Sequence, residues 1–135
     1  MHHTSIPADP AKLLPADCDP VEEVLRWFRQ RQREWEQAGV DLDRIVIDPG
    51  VGFGKSAGQS WALLRGIERL YALGHRVLVG HSRKSFIGAV SSVQAPERDL
   101  ETVAVSLRLL DAGVSMFRVH DVDAHVRAYR AWRKL

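Results

Sequence analysis

Charged and hydroxyl side chains follow three short apolar segments of the chain, "RIVI", "RVLVG" and "SMF". A carboxylate in such a position can accept hydrogen bonds from ligand N–H groups, and fixed cations can bind an anionic or carbonyl-bearing substrate. These residue types predict a binding site for a small polar molecule. The candidate residues are Asp48, Ser82, Arg83, Lys84, Arg118 and His120.

The glycine-rich stretch "DPGVGFGKS", residues 48–56, fits neither common nucleotide-binding motif. A phosphate loop needs Gly five positions before the Gly of its Gly-Lys-Ser end, and that position holds Pro49, which has no N–H group. The dinucleotide fingerprint would need its third Gly where Lys55 stands. Asp48 is then either a turn-capping residue or a carboxylate that binds a ligand. Lys55 by itself is predicted to be a solvated loop lysine.

Arg118 lies within an apolar segment, where a charge is costly unless it is paired, so a carboxylate or phosphate partner is expected. His120 is followed by further potential metal ligands, Asp121, Asp123 and His125. A metal centre is disfavoured, because His125 falls on a predicted helix and no second ligand pair has metal-binding spacing. Covalent hydrolase chemistry is not supported either, since the sequence lacks a nucleophile elbow.

The composition is that of one globular domain. The chain has 135 residues, of which 45% are hydrophobic and 27% charged. The net charge is only +2 and the basic residues are dispersed, so no nucleic-acid partner is expected. The single cysteine, Cys18, cannot form an intrachain disulfide and is interpreted as a spectator thiol. Without a signal peptide or an apolar run of membrane-spanning length, the chain is expected to be cytoplasmic and to have no membrane partner.

The spacing of apolar residues predicts a loop, a helix and then three strand–helix units. Residues 1–19 are proline-rich and predicted to be a loop. The first helix begins with Asp19 as its N-cap and Pro20 at its first position, and it ends near Gly39. The strand segments "RIVID", "RVLVG" and "SMFRVHD" have short apolar centres, which are typical of fully buried parallel strands.

The three helices that follow the strands are expected to pack through apolar stripes. The first of them should end at Gly74. The expected stripes are Trp61, Leu64, Ile67 and Tyr71, then Leu100, Val103, Leu107 and Leu110, and finally Val122, Val126 and Tyr129.

Alternating strands and helices predict an α/β fold with a parallel sheet and right-handed crossovers. The carboxyl ends of parallel strands lie along one edge, so the candidate residues should converge although they are up to 72 positions apart. Three strands are too few to close a barrel of eight.

Three segments, "DPGVGFGKS", "VGHSRKSFIG" and "FRVHDV", resemble the second half of dihydropteroate synthase in their order and spacing. The opening "MH", which could otherwise be part of a purification tag, resembles the end of that family's preceding strand. The resemblance covers essentially the whole chain. It implies that residues 1–135 form the C-terminal part of a pterin-binding (β/α)8 TIM barrel, with roughly the last three strand–helix units preceded by a loop and a helix.

That family joins p-aminobenzoate to 6-hydroxymethyl-7,8-dihydropterin diphosphate and releases diphosphate, forming 7,8-dihydropteroate in folate biosynthesis. The resemblance implies that Asp48 pairs with the pterin N–H groups and that Lys84 contacts the pterin carbonyl. Met1 and Gly80 would line the pterin slot. It also implies a homodimer joined through the late helices.

The same resemblance assigns the other two ligands. Ser82 and Arg83 would receive p-aminobenzoate, with Phe53 beside its ring. Arg118 and His120 would hold the leaving diphosphate together with Mg²⁺, for which this chain supplies no ligand. Lys84 would join that pair as a catalytic residue.

The family's first half has no counterpart in the sequence. Three explanations are open: a fragment or engineered half, a misread start codon in a longer gene, or a chain that completes its barrel with another. The chain alone is expected to have little or no synthase activity. Two other classes also stay open, a pterin-binding domain of the corrinoid methyltransferase type and a noncatalytic half-barrel that serves as a subunit.

Overall fold

The computed structural model describes residues 1–7, 9 and 11–135. These residues alternate helices and strands as the sequence predicts. The elements are α1 (Pro20–Gln37), β1 (Val46–Ile47), α2 (Ala57–Arg65), β2 (Arg76–Val79), α3 (Ser85–Ser91), α4 (Asp99–Asp111), β3 (Met116–Phe117) and α5 (Val122–Trp132). Short 3-10 turns lie at Leu42–Arg44, Ile67–Leu73 and Ala95–Glu97.

The three strands form a parallel sheet in the order β1-β2-β3. The strands are shorter than predicted, although the N–H of Arg118 still donates to the carbonyl of Val79 at 3.1 Å beyond β3. On the other side of the sheet, the N–H of His2 donates to the carbonyl of Asp48 at 2.9 Å. The N-terminal residues therefore lie beside the end of β1.

The prediction of fully buried strands is wrong: β1 and β2 alternate buried and more exposed residues, and both residues of β3 are only half-buried. Ile47 is completely buried, whereas Val46 is 36% exposed. Successive side chains of a strand point to opposite faces, and in the described part of the chain the helices cover one face more completely than the other. Val77 and Val79 of β2 point into the covered face and are buried with Ile47.

Helix α1 follows the sequence prediction closely. The carboxylate of Asp19 accepts hydrogen bonds from the N–H groups of Val21 (2.8 Å) and Glu22 (3.3 Å), which satisfies donors that have no partner within the helix. Gly39 follows the helix with a φ of +72°. Val24 and Phe28 lie in the buried core.

The helix after β1 is divided where one continuous helix was predicted. Helix α2 ends at Arg65, and a 3-10 segment then runs from Ile67 to Leu73. Gly66 stands at the junction, where an added Cβ would lie 2.8 Å from Cγ2 of Val21. The missing side chain therefore allows close approach to α1. Gly74 ends the segment, as predicted, with a φ of +77°.

The predicted buried faces of α4 and α5 are wrong. Leu100 is 79% exposed and Val122 is 58% exposed. In α4, Thr102 and Ser106 are buried, and in α5 the buried residue is His125. These polar side chains can be buried because they form hydrogen bonds with one another and with His81, which follows β2, as described below.

Two further features complete the fold. The segment "SFIGAVS", which was not predicted to be helical, forms α3 after β2. None of the helices in the described residues combines the length and apolar character needed to cross a lipid bilayer.

Candidate functional site

The carboxyl ends of the three strands surround one cavity of about 360 Å³. The segment that follows each strand contributes residues to its wall, so the structure brings together side chains that are distant in sequence. The lining residues are Phe53, Gly80, Ser82, Lys84, Arg118, Val119 and His120.

Asp48 stands at the turn that leads into the glycine-rich loop. Its Oδ1 accepts a hydrogen bond from the N–H of Gly50 at 2.8 Å, as the turn-capping interpretation predicts. Gly50 has a φ of +66°, and an added Cβ would lie only 2.0 Å from the carbonyl oxygen of His2. Among the described residues no hydrogen bond to Oδ2 of Asp48 is formed. The carboxylate can therefore shape the turn with one oxygen and bind a ligand with the other.

The prediction of a solvated Lys55 is wrong, because this side chain is only 5% exposed. Its ammonium lies 2.9 Å from each of three acceptors, the carbonyl oxygens of Gly50 and Phe53 and the Nδ1 of His2. Burial, reinforced by the charge of Lys84, lowers the pKa of Lys55 to about 8. The glycine-rich loop is thus folded around a buried cation.

His2 is the imidazole partner of this cation. Burial is the main cause that lowers the pKa of His2 to about 3, and the charge of Lys55 acts in the same direction. The ring is therefore neutral near pH 7 and can accept a hydrogen bond at Nδ1. No local pattern in the sequence indicates this contact, since it joins residues 53 positions apart.

Lys84 projects into the cavity from the end of β2. Its ammonium lies 4.2 Å from the centre of the Phe53 ring and donates a hydrogen bond to the carbonyl of Val51. Burial lowers the pKa of Lys84 to about 8, although the nearby Asp48 opposes this change. Gly52 has a φ of +76°, and a Cβ there would approach Cδ of Lys84 to 3.0 Å. The loop and the lysine therefore fit against each other.

Arg118 approaches the cavity from the end of β3. Its guanidinium passes close to Gly80, where an added Cβ would lie 2.9 Å from Nη2. The side chain is exposed, so the expected cost of a buried charge does not apply. Within the described part of the chain, no carboxylate lies within salt-bridge distance of Arg118. Its charge is available to an anion in the cavity.

Ser82 and His120 contact each other across the same cavity. The backbone N–H of His120 donates to Oγ of Ser82 at 3.2 Å, and Nδ1 of its ring lies 2.9 Å from the same oxygen. When the hydroxyl donates to Nδ1, Nε2 of a neutral ring carries the proton and is a donor for a ligand.

Arg83 points away from the cavity. Its guanidinium donates two hydrogen bonds to Asp99, at 2.8 and 2.5 Å. Its backbone has a φ of +58°, its N–H donates to Oγ1 of Thr102 at 3.2 Å, and its carbonyl accepts from Arg98 at 3.0 Å. Arg83 would have to leave Asp99 to contact a substrate, so its predicted role as a p-aminobenzoate ligand has no support in this arrangement.

Met1 lies near the same loop. It is 47% exposed, and its Cγ is 3.4 Å from the position that a Cβ on Gly50 would take. This places Met1 beside the turn that holds Asp48.

The described residues do not fit a metal held by the protein. The cavity lining includes no carboxylate, and no group of three or more His, Cys, Asp or Glu in the described residues is arranged to hold an ion. His125 does lie on the helix after β3, as predicted, and it is bonded there to Ser106 and to the carbonyl of Asp121.

Comparisons with known proteins agree with this geometry. A family model described as "Pterin binding enzyme" matches residues 1–120. The chain is 38% identical to a "Folate synthesis bifunctional protein" of Chlamydia trachomatis over 132 residues, 96% of this chain.

Solved structures of other proteins are also similar to this chain. Dihydropteroate synthase from Anaplasma phagocytophilum, with bound 6-hydroxymethylpterin-monophosphate, superposes with a TM-score of 0.88 at 33% identity over 98% of this chain. The Xanthomonas albilineans enzyme in complex with 7,8-dihydropteroate gives 0.83 at 40% identity over 90%. The chain spans 52% and 47% of these two structures and 29% of the Chlamydia protein. The fold is therefore that of part of a TIM barrel.

Proposed function

Because the chain belongs to the family of pterin-binding enzymes, we propose that it supplies part of the active site of a dihydropteroate synthase. The reaction would join p-aminobenzoate to 6-hydroxymethyl-7,8-dihydropterin diphosphate, giving 7,8-dihydropteroate and diphosphate. One observation gives the main support. A cavity beyond the ends of neighbouring parallel strands is lined by Lys84, Arg118, His120 and the hydroxyl of Ser82.

Asp48 would hold the pterin ring. A flat ring with adjacent N–H groups pairs well with a carboxylate, which supplies orientation as well as affinity. Lys84 would donate to the pterin carbonyl from the other side of the loop, and Met1 and Gly80 would border the ring. The buried Lys55 keeps this loop in place beneath the ring.

Arg118 and His120 would bind the diphosphate. As the amine nitrogen of p-aminobenzoate forms its bond to the C9 methylene, the bond from C9 to the diphosphate oxygen breaks and negative charge grows on the leaving group. A fixed guanidinium and an imidazole N–H stabilise this charge where it develops. Such a substitution needs positioning and electrostatics and no covalent enzyme intermediate.

The p-aminobenzoate subsite would lie beside Phe53 and Ser82. The Phe53 ring lines the cavity and offers an apolar surface to the aminobenzoate ring. Arg83 would act at this subsite indirectly. Its ion pair with Asp99 would hold the turn that carries Ser82.

Mg²⁺ belongs to this proposal only as an ion that arrives with the diphosphate. The described residues offer it no carboxylate ligands at the cavity, so we derive no catalytic step from it.

A homodimer is the second part of the proposal. A mainly apolar groove of about 610 Å³ lies between α2 and α4. It includes Trp61, Leu64, Val105 and Leu109, and a second copy of the chain would remove this apolar surface from water. We also propose a cytoplasmic location, where the folate pathway substrates would be present.

The test is an assay of the 135-residue chain with both substrates, alone and mixed with a separately expressed first half of a bacterial dihydropteroate synthase. Alone, the chain should be weakly active or inactive, because three strands do not close a barrel of eight. Activity should appear in the mixture and should be lost with Arg118→Met. Near-normal turnover by the chain alone would refute the prediction of an incomplete site.

Light scattering combined with calorimetry distinguishes the alternatives. A chain that binds the pterin diphosphate has a competent half-site. An oligomer that does not bind it would favour the noncatalytic subunit, and binding of a pterin without any preference for its diphosphate would favour the methyltransferase-type domain.

A further inference from the structure

Three buried polar side chains lie behind the cavity without contributing to its wall. His81 and Ser106 are completely buried, and His125 is 3% exposed. They come from the end of β2, the middle of α4 and the first turns of α5. Burying so many polar groups is unfavourable unless each finds a partner, so their hydrogen bonds need explanation.

The three side chains form a continuous hydrogen-bonded chain. Nε2 of His81 lies 3.1 Å from the carbonyl oxygen of Thr102 and 2.9 Å from Oγ of Ser106. The same Oγ lies 3.0 Å from Nε2 of His125. Nδ1 of His125 lies 2.6 Å from the carbonyl oxygen of Asp121.

These contacts determine where the protons lie. A carbonyl oxygen only accepts, so His81 carries its proton on Nε2 and His125 carries its proton on Nδ1. The hydroxyl of Ser106 then accepts from His81 and donates to Nε2 of His125. If the hydroxyl instead donated to the carbonyl of Thr102, 2.9 Å away, Nε2 of His125 would lose its donor.

The hydrogen-bonded chain therefore runs in one direction, from His81 through Ser106 to His125. Burial lowers the pKa of His81 to about 4, in agreement with a neutral ring. Nδ1 of His81 has no hydrogen-bond partner among the described residues.

The two ends of this hydrogen-bonded chain of side chains lie next to cavity residues. His81 stands between Gly80 and Ser82, and Asp121 follows His120 directly. We propose that His81, Ser106 and His125 are positioning residues, which hold the end of β2 and the end of β3 at the separation that the diphosphate requires. This inference rests on the proposed function, and it assigns a role to residues outside the cavity.

The effect should be larger at the phosphate end of the substrate. The Ser82–His120 contact joins the two strand ends that the hydrogen-bonded chain links. Asp48, by contrast, is held by the turn at Gly50 and the loop around Lys55, which the hydrogen-bonded chain does not touch. A defect in the hydrogen-bonded chain should therefore weaken binding of the diphosphate more than binding of the pterin ring, which Asp48 also holds.

Isothermal titration calorimetry with 6-hydroxymethylpterin and with its diphosphate provides the test. Ser106→Ala and His81→Leu should weaken binding of the diphosphate about tenfold, the effect of one lost hydrogen bond at the upper end of its usual range, and should weaken binding of the unphosphorylated pterin by a clearly smaller factor. His81→Gln, whose amide N–H can replace the Nε2 donor, should recover most of the affinity. His75→Leu is the matched control, since His75 is also buried but lies at the opposite end of β2.

The outcomes separate this inference from the proposed function. Wild-type protein that binds neither ligand would overturn both. The positioning role alone would be overturned if the wild type binds but the variants lose equal affinity for the two ligands. It would also be overturned if Ser106→Ala loses no affinity. Ser106→Ala removes a single oxygen and so serves even if His81→Leu fails to fold. Two-bond ¹H–¹⁵N spectra of the wild type should show the Nε2–H tautomer for His81 and the Nδ1–H tautomer for His125, and the reverse assignment would also overturn the inference.

Discussion

The ammonium of Lys55 lies 2.9 Å from Nδ1 of His2, and both side chains are buried. This contact joins the glycine-rich loop to the segment that lies beside the end of β1. Because the ammonium also binds the carbonyls of Gly50 and Phe53, all three of its protons are used within the protein. Lys55 therefore shapes the site, and it has no proton left for a substrate.

Replacing Lys55 should loosen the loop. Lys55→Met retains the length of the side chain but leaves buried acceptors unsatisfied, and part of this cost is offset because a buried charge is removed. We expect a net loss of roughly 2 kcal/mol in the free energy of unfolding, measured by urea denaturation. Lys134→Met, at an exposed position, is the control and should change little. If Lys55→Met is as stable as the wild type, the three hydrogen bonds of the Lys55 ammonium do not stabilise the protein.

Gly80→Ala should disturb the site without disturbing the fold. The added Cβ would lie 2.9 Å from Nη2 of Arg118, and the exposed guanidinium can move away at little cost. Affinity for the pterin diphosphate should fall about tenfold, since a charge-assisted contact is displaced. Thermal stability should be unchanged. Gly58→Ala in α2, where the nearest atom is 3.9 Å away, is the matched control. Unaltered diphosphate affinity in Gly80→Ala would argue against a role for Arg118.

The ion pair between Arg83 and Asp99 allows two roles of Arg83 to be distinguished. If Arg83 acts by holding its turn, Arg83→Met and Asp99→Asn should weaken p-aminobenzoate binding by similar factors, and the double variant should be no worse than either single variant. If the guanidinium contacts the substrate, only Arg83→Met should have a strong effect. We expect the first pattern, because the guanidinium is already bound at 2.8 and 2.5 Å. Calorimetric titration of the three variants measures it.

The buried His81 should make stability depend on pH. Its pKa is lowered from 6.5 to about 4 in the folded protein, so below pH 6.5 the unfolded chain binds more protons and is favoured. The stabilisation is complete above pH 6.5 and is lost as the pH falls toward 4. His81→Gln cannot titrate, so between pH 7 and 5 its unfolding free energy should fall by about 2 kcal/mol less than that of the wild type. Equal falls in the two proteins would show that His81 is not buried as a neutral ring.

Local signals in the sequence predicted several elements well. The limits of α1 follow from Asp19, Pro20 and Gly39, which act within one helical turn of their own positions. The convergence of residues at the strand ends follows from parallel topology alone. The three motifs in their order identified the family, which the family model and the solved structures confirm.

The errors concern side chains whose environment is set by distant residues. Lys55 can be buried because His2, far away in sequence, accepts a hydrogen bond from its ammonium. The buried face of α4 includes Thr102 and Ser106 beside Leu109, because His81 lies opposite Ser106, whereas an apolar stripe was the natural expectation for a helix that packs on a sheet. Patterns within one element cannot reveal such pairings.

The central claim is that the three strand ends form a site for a pterin diphosphate. Titration calorimetry of the wild type, Asp48→Asn and Arg118→Met with 6-hydroxymethyl-7,8-dihydropterin diphosphate and with the unphosphorylated pterin tests it most directly. We predict that the wild type binds the diphosphate more tightly, that Asp48→Asn weakens both ligands, and that Arg118→Met removes only the preference for the diphosphate. Binding that is absent in the wild type, or unaffected by both substitutions, would contradict the claim.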